Sequence, residues 1–152
     1  MLTDILRQLY ARDLNKLKSE IEQYQNEERI WYTEKSISNS AGNLCLHLVG
    51  NLNTYFGAVY GNTGYIRNRD LEFSQKNISR DILIEKIVAT MVVVDSSLSA
   101  ITQAQLDAEY PLLVFQQKTS TEFFLVHLSA HFSYHLGQIN YHRRLLDVAP
   151  SI

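Results

Sequence analysis

Apolar residues recur at helical spacing in four segments of the chain, and polar stretches separate these segments. The predicted helices run from residue 3 or 4 to about 24, from 39 or 40 to about 59, from 80 to about 105, and from 119 to 147. The fourth opens with the capping-box pattern Thr119-Ser120-Thr121-Glu122. Four amphipathic helices in 152 residues predict an all-α four-helix bundle, formed by a single domain over residues 1–152.

The connections between these helices differ in length and character. Residues 25–39 are polar around Ile30-Trp31-Tyr32, whose aromatic rings are expected to anchor a loop on the core. Residues 61–78 form an uncommonly long connection, which predicts a crossover that leaves the second and third helices parallel. Residues 109–118 contain Pro111, which favours extended backbone before it, and both a short strand and a loop remain open for this segment.

Composition and charge exclude several classes of protein. Hydrophobic residues make up 45% and charged residues 20%, which is typical of a soluble globular domain. A formal net charge of −2 leaves no broad cationic surface, so nucleic acid is not an expected partner. No segment reaches the ~20 apolar residues of a membrane span, and residues 1–7 lack a secretory signal pattern, so we expect a cytoplasmic protein with no membrane partner. The single cysteine, Cys45, fits a reducing compartment and is expected to be a buried small hydrophobe.

Four of the five histidines lie in the fourth predicted helix. At about 100° per residue, steps of four and seven return to nearly the same side of a helix, so His127, His131, His135 and His142 form one stripe. The fifth, His47, lies in the second predicted helix. We therefore predict that His47 packs against this stripe and that His47, His131 and His135 hold a divalent transition metal.

The donor type and its spacing explain this prediction. Neutral imidazole is a good ligand for zinc, nickel, copper and iron, and two histidines four residues apart project from one helix face. A third histidine from a facing helix leaves a coordination position open, which is typical of catalytic rather than structural sites. The competing interpretation treats the histidines as core residues bonded to backbone, tyrosine or asparagine, and for His127 and His142 a supporting or structural role is favoured.

Several other polar residues are candidates for supporting roles. Asn43 and Asn51 lie one turn to either side of His47, where they would orient the ligand or face solvent, and both alternatives remain open. Orienting roles are also expected for His127 and Gln138. Arg67 and Arg69 have the donors to bind a substrate carboxylate or phosphate, although an internal network with Asp or Glu is the favoured interpretation.

Two stretches of this sequence resemble a known superfamily. His47 in the second helix, followed by His131-Phe132-Ser133-Tyr134-His135-Leu136-Gly137-Gln138-Ile139 in the fourth, resembles the DinB/YfiT-like pattern of one early helical histidine and a late His-x-x-x-His before Gly-Gln-Ile. The pattern Gly-x-x-Arg-x-Arg-x-x-Glu-Phe, from Gly64 to Phe73, resembles a further signature of one uncharacterised branch. The helix order and length resemble this superfamily over essentially the whole chain.

The resemblance implies a four-helix bundle of up-down-down-up order in which His47, His131 and His135 bind a divalent ion. Zinc or nickel is favoured, with iron or manganese as alternatives. It also implies a homodimer and, in some members, transfer or isomerisation chemistry with low-molecular-weight thiols such as bacillithiol or mycothiol and a small electrophilic substrate. Leu136 stands where many members carry arginine, so a substrate contact of that arginine is not carried over.

Three functions follow from these observations. The first is a metal-dependent thiol S-transferase, in which the ion lowers the pKa of a bound thiol or water. The second is a noncatalytic metal-binding or stress-induced dimeric module, and a fourth protein ligand such as His127 would favour it. The third is a helical scaffold without metal. The chain has neither His-Glu-x-x-His nor Glu-x-x-His, which argues against a zincin protease and a ferritin-like di-iron centre.

Overall fold

The computed structural model describes residues 1–148, which fold into six α-helices, four of them long. The helices are α1 (Leu2–Glu22), α2 (Ala41–Leu52), α3 (Arg69–Ser74), α4 (Arg80–Ala100), α5 (Gln103–Asp107) and α6 (Thr121–Leu146). A π-helical stretch, Asn53–Ala58, continues α2 directly, and a 3₁₀ helix covers Glu27–Trp31. Residues 149–152 of the predicted domain lie outside the described part of the chain.

Serine side chains set the start of three of the long helices. Ser40, Ser79 and Ser120 each accept a hydrogen bond from the backbone N–H three residues further on, at the starts of α2, α4 and α6. The predicted capping box at residues 119–122 is therefore wrong by one residue, because Ser120 rather than Thr119 is the cap. The start predicted for the first helix is also wrong, since α1 begins at Leu2 with Met1 before it.

The third predicted helix is divided in two. It was expected to reach Gln105, but α4 ends at Ala100 and Ile101 adopts extended backbone. Thr102 then caps α5, accepting from the Gln105 N–H while the Gln105 side chain accepts from the Thr102 N–H. This reciprocal capping offers the backbone an alternative to a continuous helix, which the apolar pattern alone does not reveal.

Residues 109–118 connect α5 to α6 as a loop. One isolated antiparallel bridge, between Glu109 and Ser120, fastens its ends, and residues 1–148 contain no named strand. Of the two alternatives for this segment, the loop is therefore the one observed. None of the helices within residues 1–148 has the combination of length and hydropathy that a transmembrane segment needs.

Two contacting residue pairs for each neighbour show in which direction α1 runs relative to α4 and α6. The pairs are Arg7–Asp95 and Glu22–Arg80 for α1 with α4, and Asp13–Ser133 and Glu20–Arg143 for α1 with α6. Early residues of α1 meet late residues of α4, so these helices are antiparallel. Residue numbers rise together along α1 and α6, so these two are parallel.

The second long helix, α2, also packs against α4 and α6, but it runs in the opposite direction to α1. His47 of α2 contacts His131 of α6, and Tyr55 of the π-helical extension contacts Phe124 of α6. The same extension contacts α4 through the pairs Asn53–Thr90 and Gly57–Val93. Helices α2 and α6 are therefore antiparallel, whereas α2 and α4 are parallel. The long connection between α2 and α4 contains α3, which packs on α2.

One apolar core joins the long helices. Its largest fully buried side chains include Tyr24, Phe56, Tyr110, Phe124 and Phe132. Burying such rings contributes most of the packing energy between elements.

Three sequence expectations can be compared with this core. Trp31 packs against it and donates its indole N–H to the Ile78 carbonyl, and Cys45 is fully buried, as expected for each. Burial raises the pKa of the Cys45 thiol to about 12, so the group is unreactive. The apolar pattern of the first predicted helix includes Ile5 and predicts that it is buried, but this residue is 57% exposed.

Candidate metal centre

The central part of α6 faces α2 at a cluster of three histidines. His47 comes from α2, while His131 and His135 lie one turn apart on α6, and their candidate ligand nitrogens lie within 4.8 Å of one another. The Nε2 atoms of His47 and His131 are 3.2 Å apart. The structure thus brings together the three histidines that the sequence singled out.

Packing of the flanking apolar residues orients the histidines toward each other. Leu128 and Phe132 of α6 are buried in the core, and so are Leu44 and Leu48 of α2. His131 and His135 stand at the edge of the buried stripe of α6, half-buried, where they meet His47 of α2. Their direction therefore follows from the helical period together with the antiparallel packing of the two helices.

Hydrogen bonds fix the ring orientation of two of the three histidines. His47 Nδ1 lies 3.0 Å from Glu72 Oε1, and His135 Nδ1 lies 2.7 Å from Gln138 Oε1. Both oxygens accept, and the Glu72 oxygen lies nearer to His47 Nδ1 than the Arg67 Nη2 donor does, 3.0 Å against 3.4 Å. We therefore assign the proton to each Nδ1 and a lone pair to each Nε2. A second-nitrogen bond of this kind is what commonly orients a metal-binding histidine.

Burial keeps the other two rings of the cluster neutral. Burial, followed by the neighbouring His135 and His47, lowers the pKa of His131 to about 4. Burial also lowers the pKa of His135, against the opposing effect of the Gln138 hydrogen bond. Because only neutral imidazole donates to a metal, both rings have the required form at neutral pH.

Glu72 is the site residue that the sequence reasoning missed. It reaches the cluster from α3 and is 6% exposed, with Arg67 forming two bonds to its carboxylate, 2.8 Å from Nε and 2.9 Å from Nη2. Burial raises the pKa of Glu72, but the bonds from His47 and Arg67 outweigh it and hold this pKa below its ordinary value. The sequence signal was present, because Glu72 lies inside the 64–73 signature.

A cavity of about 450 Å³ opens beside the three histidines. Arg67 and Arg69 both line it, but Arg67 is engaged by Glu72, which matches the internal network favoured from the sequence. Arg69 is exposed, with its guanidinium carbon 5.3 Å from the centre of the Phe73 ring. Within residues 1–148 it forms no salt bridge, so its charge remains available to a ligand in the cavity.

The two asparagines beside His47 are buried, so the solvent-facing alternative is wrong for both. Asn51 lines the same cavity, and its Oδ1 has no hydrogen-bond partner among residues 1–148. Asn43 donates to the backbone carbonyls of Glu72 and Gln75 and so holds α3 on α2. Asn51 therefore faces the candidate site, whereas Asn43 supports it through the backbone.

The two outer histidines of the stripe lie outside the cluster. His127 lines the cavity, but its ring centre is 6.2 Å from that of His131, and it packs against Phe115 and Phe124. His142 is buried, with Nδ1 2.7 Å from the Tyr24 hydroxyl and Nε2 2.8 Å from the Tyr32 carbonyl. The candidate ligand set thus contains three histidines and does not include His127.

Comparison with protein families gives a match over nearly the whole chain. Residues 4–149 match the family described as "Protein of unknown function (DUF1572)". The chain belongs to this family. A comparison with curated proteins finds no match. Since the family description names no activity, the function of this DUF1572 protein has to be argued from its site.

The separation of two of the three nitrogen donors in the DUF1572 site fits a bound transition metal ion. Two nitrogens coordinated tetrahedrally at 2.0–2.1 Å lie about 3.3 Å apart. The observed 3.2 Å between His47 Nε2 and His131 Nε2 agrees with this separation. His131 Nδ1 is buried and has no hydrogen-bond partner among residues 1–148.

Proposed function

We propose that this protein binds one divalent transition metal ion through His47, His131 and His135 and acts as a metal-dependent thiol S-transferase. The observation that carries the proposal is the 3.2 Å approach of two imidazole nitrogens while the other nitrogen of His47 is held by Glu72. Three neutral nitrogen donors suit zinc, nickel or iron better than manganese, which prefers oxygen ligands, and zinc or nickel is the proposed ion. Three protein ligands leave a position for a substrate atom.

The chemistry that a bound ion supplies is a lowered pKa for a coordinated thiol, which makes its thiolate available near neutral pH. In the transfer, the sulfur electron pair forms a bond to the electrophilic carbon, the leaving group departs with its own pair, and the thiol proton passes to solvent. The thiolate available at a bound ion would be a stronger nucleophile than the free thiol.

Residues of the cavity would bind and orient the two reactants. Arg69 would form an ion pair with an acidic group of the low-molecular-weight thiol. The Asn51 Oδ1 would accept a hydrogen bond from an N–H or O–H group of a reactant. A volume of about 450 Å³ suits small molecules rather than a protein segment.

We infer that the fold is a DinB-like four-helix bundle of up-down-down-up order. The directions of the four helix pairs support it, because α1 and α6 run one way and α2 and α4 the other. The long connection holding α3 agrees with it, since parallel neighbours require a crossover. A cytoplasmic location belongs to the same proposal.

The second candidate is a noncatalytic, metal-binding dimeric module with the same three ligands. One observation favours a homodimer in either case. Ile82, Val88 and Val92 of α4 are 45%, 42% and 66% exposed and leave apolar side chains on the outer side of that helix. Such a surface suits a twofold contact between two copies of the chain.

The test of the proposed function is metal analysis of protein purified without an affinity tag, followed by a thiol-transfer screen with an electrophilic substrate. We expect about one ion per chain, lost in His47→Ala and His135→Ala but retained in the matched His127→Ala control. Metal that survives both substitutions would refute the ligand assignment. Bound metal without transfer to any common thiol would favour the dimeric module.

A further inference from the structure

We infer that Glu72 is the positioning residue of the metal centre, because its carboxylate fixes the tautomer and the direction of the His47 ring. The inference rests on the proposed function, since it concerns the same three histidines. Glu72 is not among the candidate ligands, because it bonds Nδ1 of His47 while the Nε2 of that ring faces His131. Its effect on a bound ion would pass through His47.

Both oxygens of the carboxylate are engaged, which leaves Glu72 little freedom to move. Oε1 accepts from His47 Nδ1 at 3.0 Å and from Arg67 Nη2 at 2.9 Å, while Oε2 accepts from Arg67 Nε at 2.8 Å. Burying a carboxylate with only one hydrogen-bond donor is energetically unfavourable. The guanidinium of Arg67 binds it in a bidentate way, which compensates its charge and fixes its plane. Arg67 thus clamps Glu72, and Glu72 orients His47.

The backbone of α2 provides the space for this carboxylate at Gly50. A Cβ atom added to Gly50 would lie 2.0 Å from Glu72 Oε2 and 2.7 Å from Cδ. Even the smallest side chain at this position would therefore displace the carboxylate from His47. Gly50 is an interior residue of the helix, where glycine is normally unfavourable, so the close approach gives it a reason to be there.

The short helix α3 is itself held in register on α2. Asn43 donates to the Glu72 carbonyl at 2.9 Å and to the Gln75 carbonyl at 2.8 Å. The Phe73 ring, next along α3, packs on the His47 ring with centres 5.0 Å apart. Segment 61–78 therefore places Glu72 against one nitrogen of the His47 ring and Phe73 against the face of the same ring.

The experiment measures the Zn²⁺ affinity of the full chain by competition with a chromophoric chelator. Loss of a partner that orients a metal ligand costs about 10- to 100-fold in affinity. We expect a loss toward the upper end for Glu72→Ala and a smaller one for Glu72→Gln, whose amide oxygen still accepts from Nδ1. The visible spectrum of the Co²⁺-loaded protein should change in Glu72→Ala, because the His47 ring direction changes.

Glu20→Gln is the matched control. Glu20 is also a largely buried carboxylate, 13% exposed at its side chain, and it bonds Arg143 and Asn140 on the other side of α6. We expect its Zn²⁺ affinity and Co²⁺ spectrum to equal those of the wild type. A Glu72→Ala protein that folds and binds Zn²⁺ within twofold of the wild type would overturn the inference.

Two further measurements separate this inference from the proposed function. Gly50→Ala introduces a better helix former, so its helix should remain folded while Zn²⁺ affinity falls at least about tenfold; unchanged affinity would contradict the role of Glu72. In the metal-free protein, ¹⁵N NMR should find the His47 proton on Nδ1 in the wild type and not in Glu72→Ala. If the wild type binds no Zn²⁺, the proposed function falls, and the tautomer still decides whether Glu72 positions His47.

Discussion

His131 and His142 lie on the same helix, about three turns apart, and yet their surroundings are opposite. Burial lowers the pKa of both rings. At His142 both nitrogens have protein partners, the Tyr24 hydroxyl and the Tyr32 carbonyl. At His131 one nitrogen faces the Nε2 of His47 and the other has no partner within residues 1–148. The difference shows that burial and helical spacing do not by themselves separate a candidate ligand from a structural histidine, whereas the hydrogen-bond partners of the two rings differ.

The largest expected effect is the loss of Zn²⁺ affinity when His131 is removed. His131→Ala removes one of three metal donors, so Zn²⁺ affinity should fall more than about 100-fold. His142→Ala should leave the affinity unchanged, because both nitrogens of that ring already have partners. Chelator competition on both variants measures this. If both variants lost Zn²⁺ affinity equally, His131 and His142 would not differ in their contribution to metal binding.

The next effect belongs to His142 and concerns folding. His142→Ala leaves the Tyr24 hydroxyl and the Tyr32 carbonyl unsatisfied and opens a cavity, so the free energy of unfolding should fall by about 2–4 kcal/mol. Tyr24→Phe should cost about 1 kcal/mol, since only one bond is lost. Urea unfolding of the metal-free proteins measures both losses. If His131→Ala lowered the free energy of unfolding of the metal-free protein as much as His142→Ala does, the difference drawn between these two histidines would be wrong.

A smaller effect is the pH dependence of stability in the metal-free protein. Burial lowers the folded-state pKa of His142, His135 and His131, the last to about 4, from about 6.5 in the unfolded chain. At a pH between the folded-state and unfolded-state pKa values, the unfolded chain binds more protons than the folded protein does. The free energy of unfolding should therefore be highest above pH ~6.5 and should decrease as the pH falls below ~6.5. Urea unfolding at about pH 7.5 and pH 5 tests this, and His142→Phe should flatten the dependence. A stability that rises on acidification would contradict it.

The smallest effect concerns Arg69, at the rim of the cavity. Arg69→Ala removes an exposed charge, so stability and Zn²⁺ affinity should change little, by about 0.5 kcal/mol or less. The KM for a carboxylate-bearing thiol should rise about tenfold with little change in kcat. Arg144→Ala is the matched control, because this exposed guanidinium lies 5.3 Å from the Tyr141 ring, outside the cavity. An equal change in both variants would exclude a specific contact from Arg69.

The comparison also shows what could be predicted from the sequence. The helical period places His131 and His135 on one face, and the apolar pattern of α2 brings His47 inward, so the grouping of these three could be predicted. Glu72 could not be assigned in this way, because its contact with His47 depends on how the 61–78 connection folds back over α2. The partners of His142 were equally hidden, since Tyr24 and Tyr32 are distant in sequence.

Helix boundaries were the weakest part of the sequence prediction. A continuous apolar pattern extended the third helix through residues 101 and 102, where Thr102 instead begins a separate short helix. At the fourth helix, two adjacent residues can each cap, and Ser120 is used instead of Thr119. These choices are decided by local side-chain hydrogen bonds, which apolar periodicity does not encode.

The central claim is that three imidazoles from α2 and α6 share one ion. Zinc K-edge X-ray absorption on the untagged, Zn²⁺-loaded protein tests it most directly. The account predicts three imidazole nitrogens at about 2.0–2.1 Å with one further light atom, and loss of one imidazole in His47→Ala. A spectrum with fewer imidazoles, or one that His47→Ala leaves unchanged, would contradict the account.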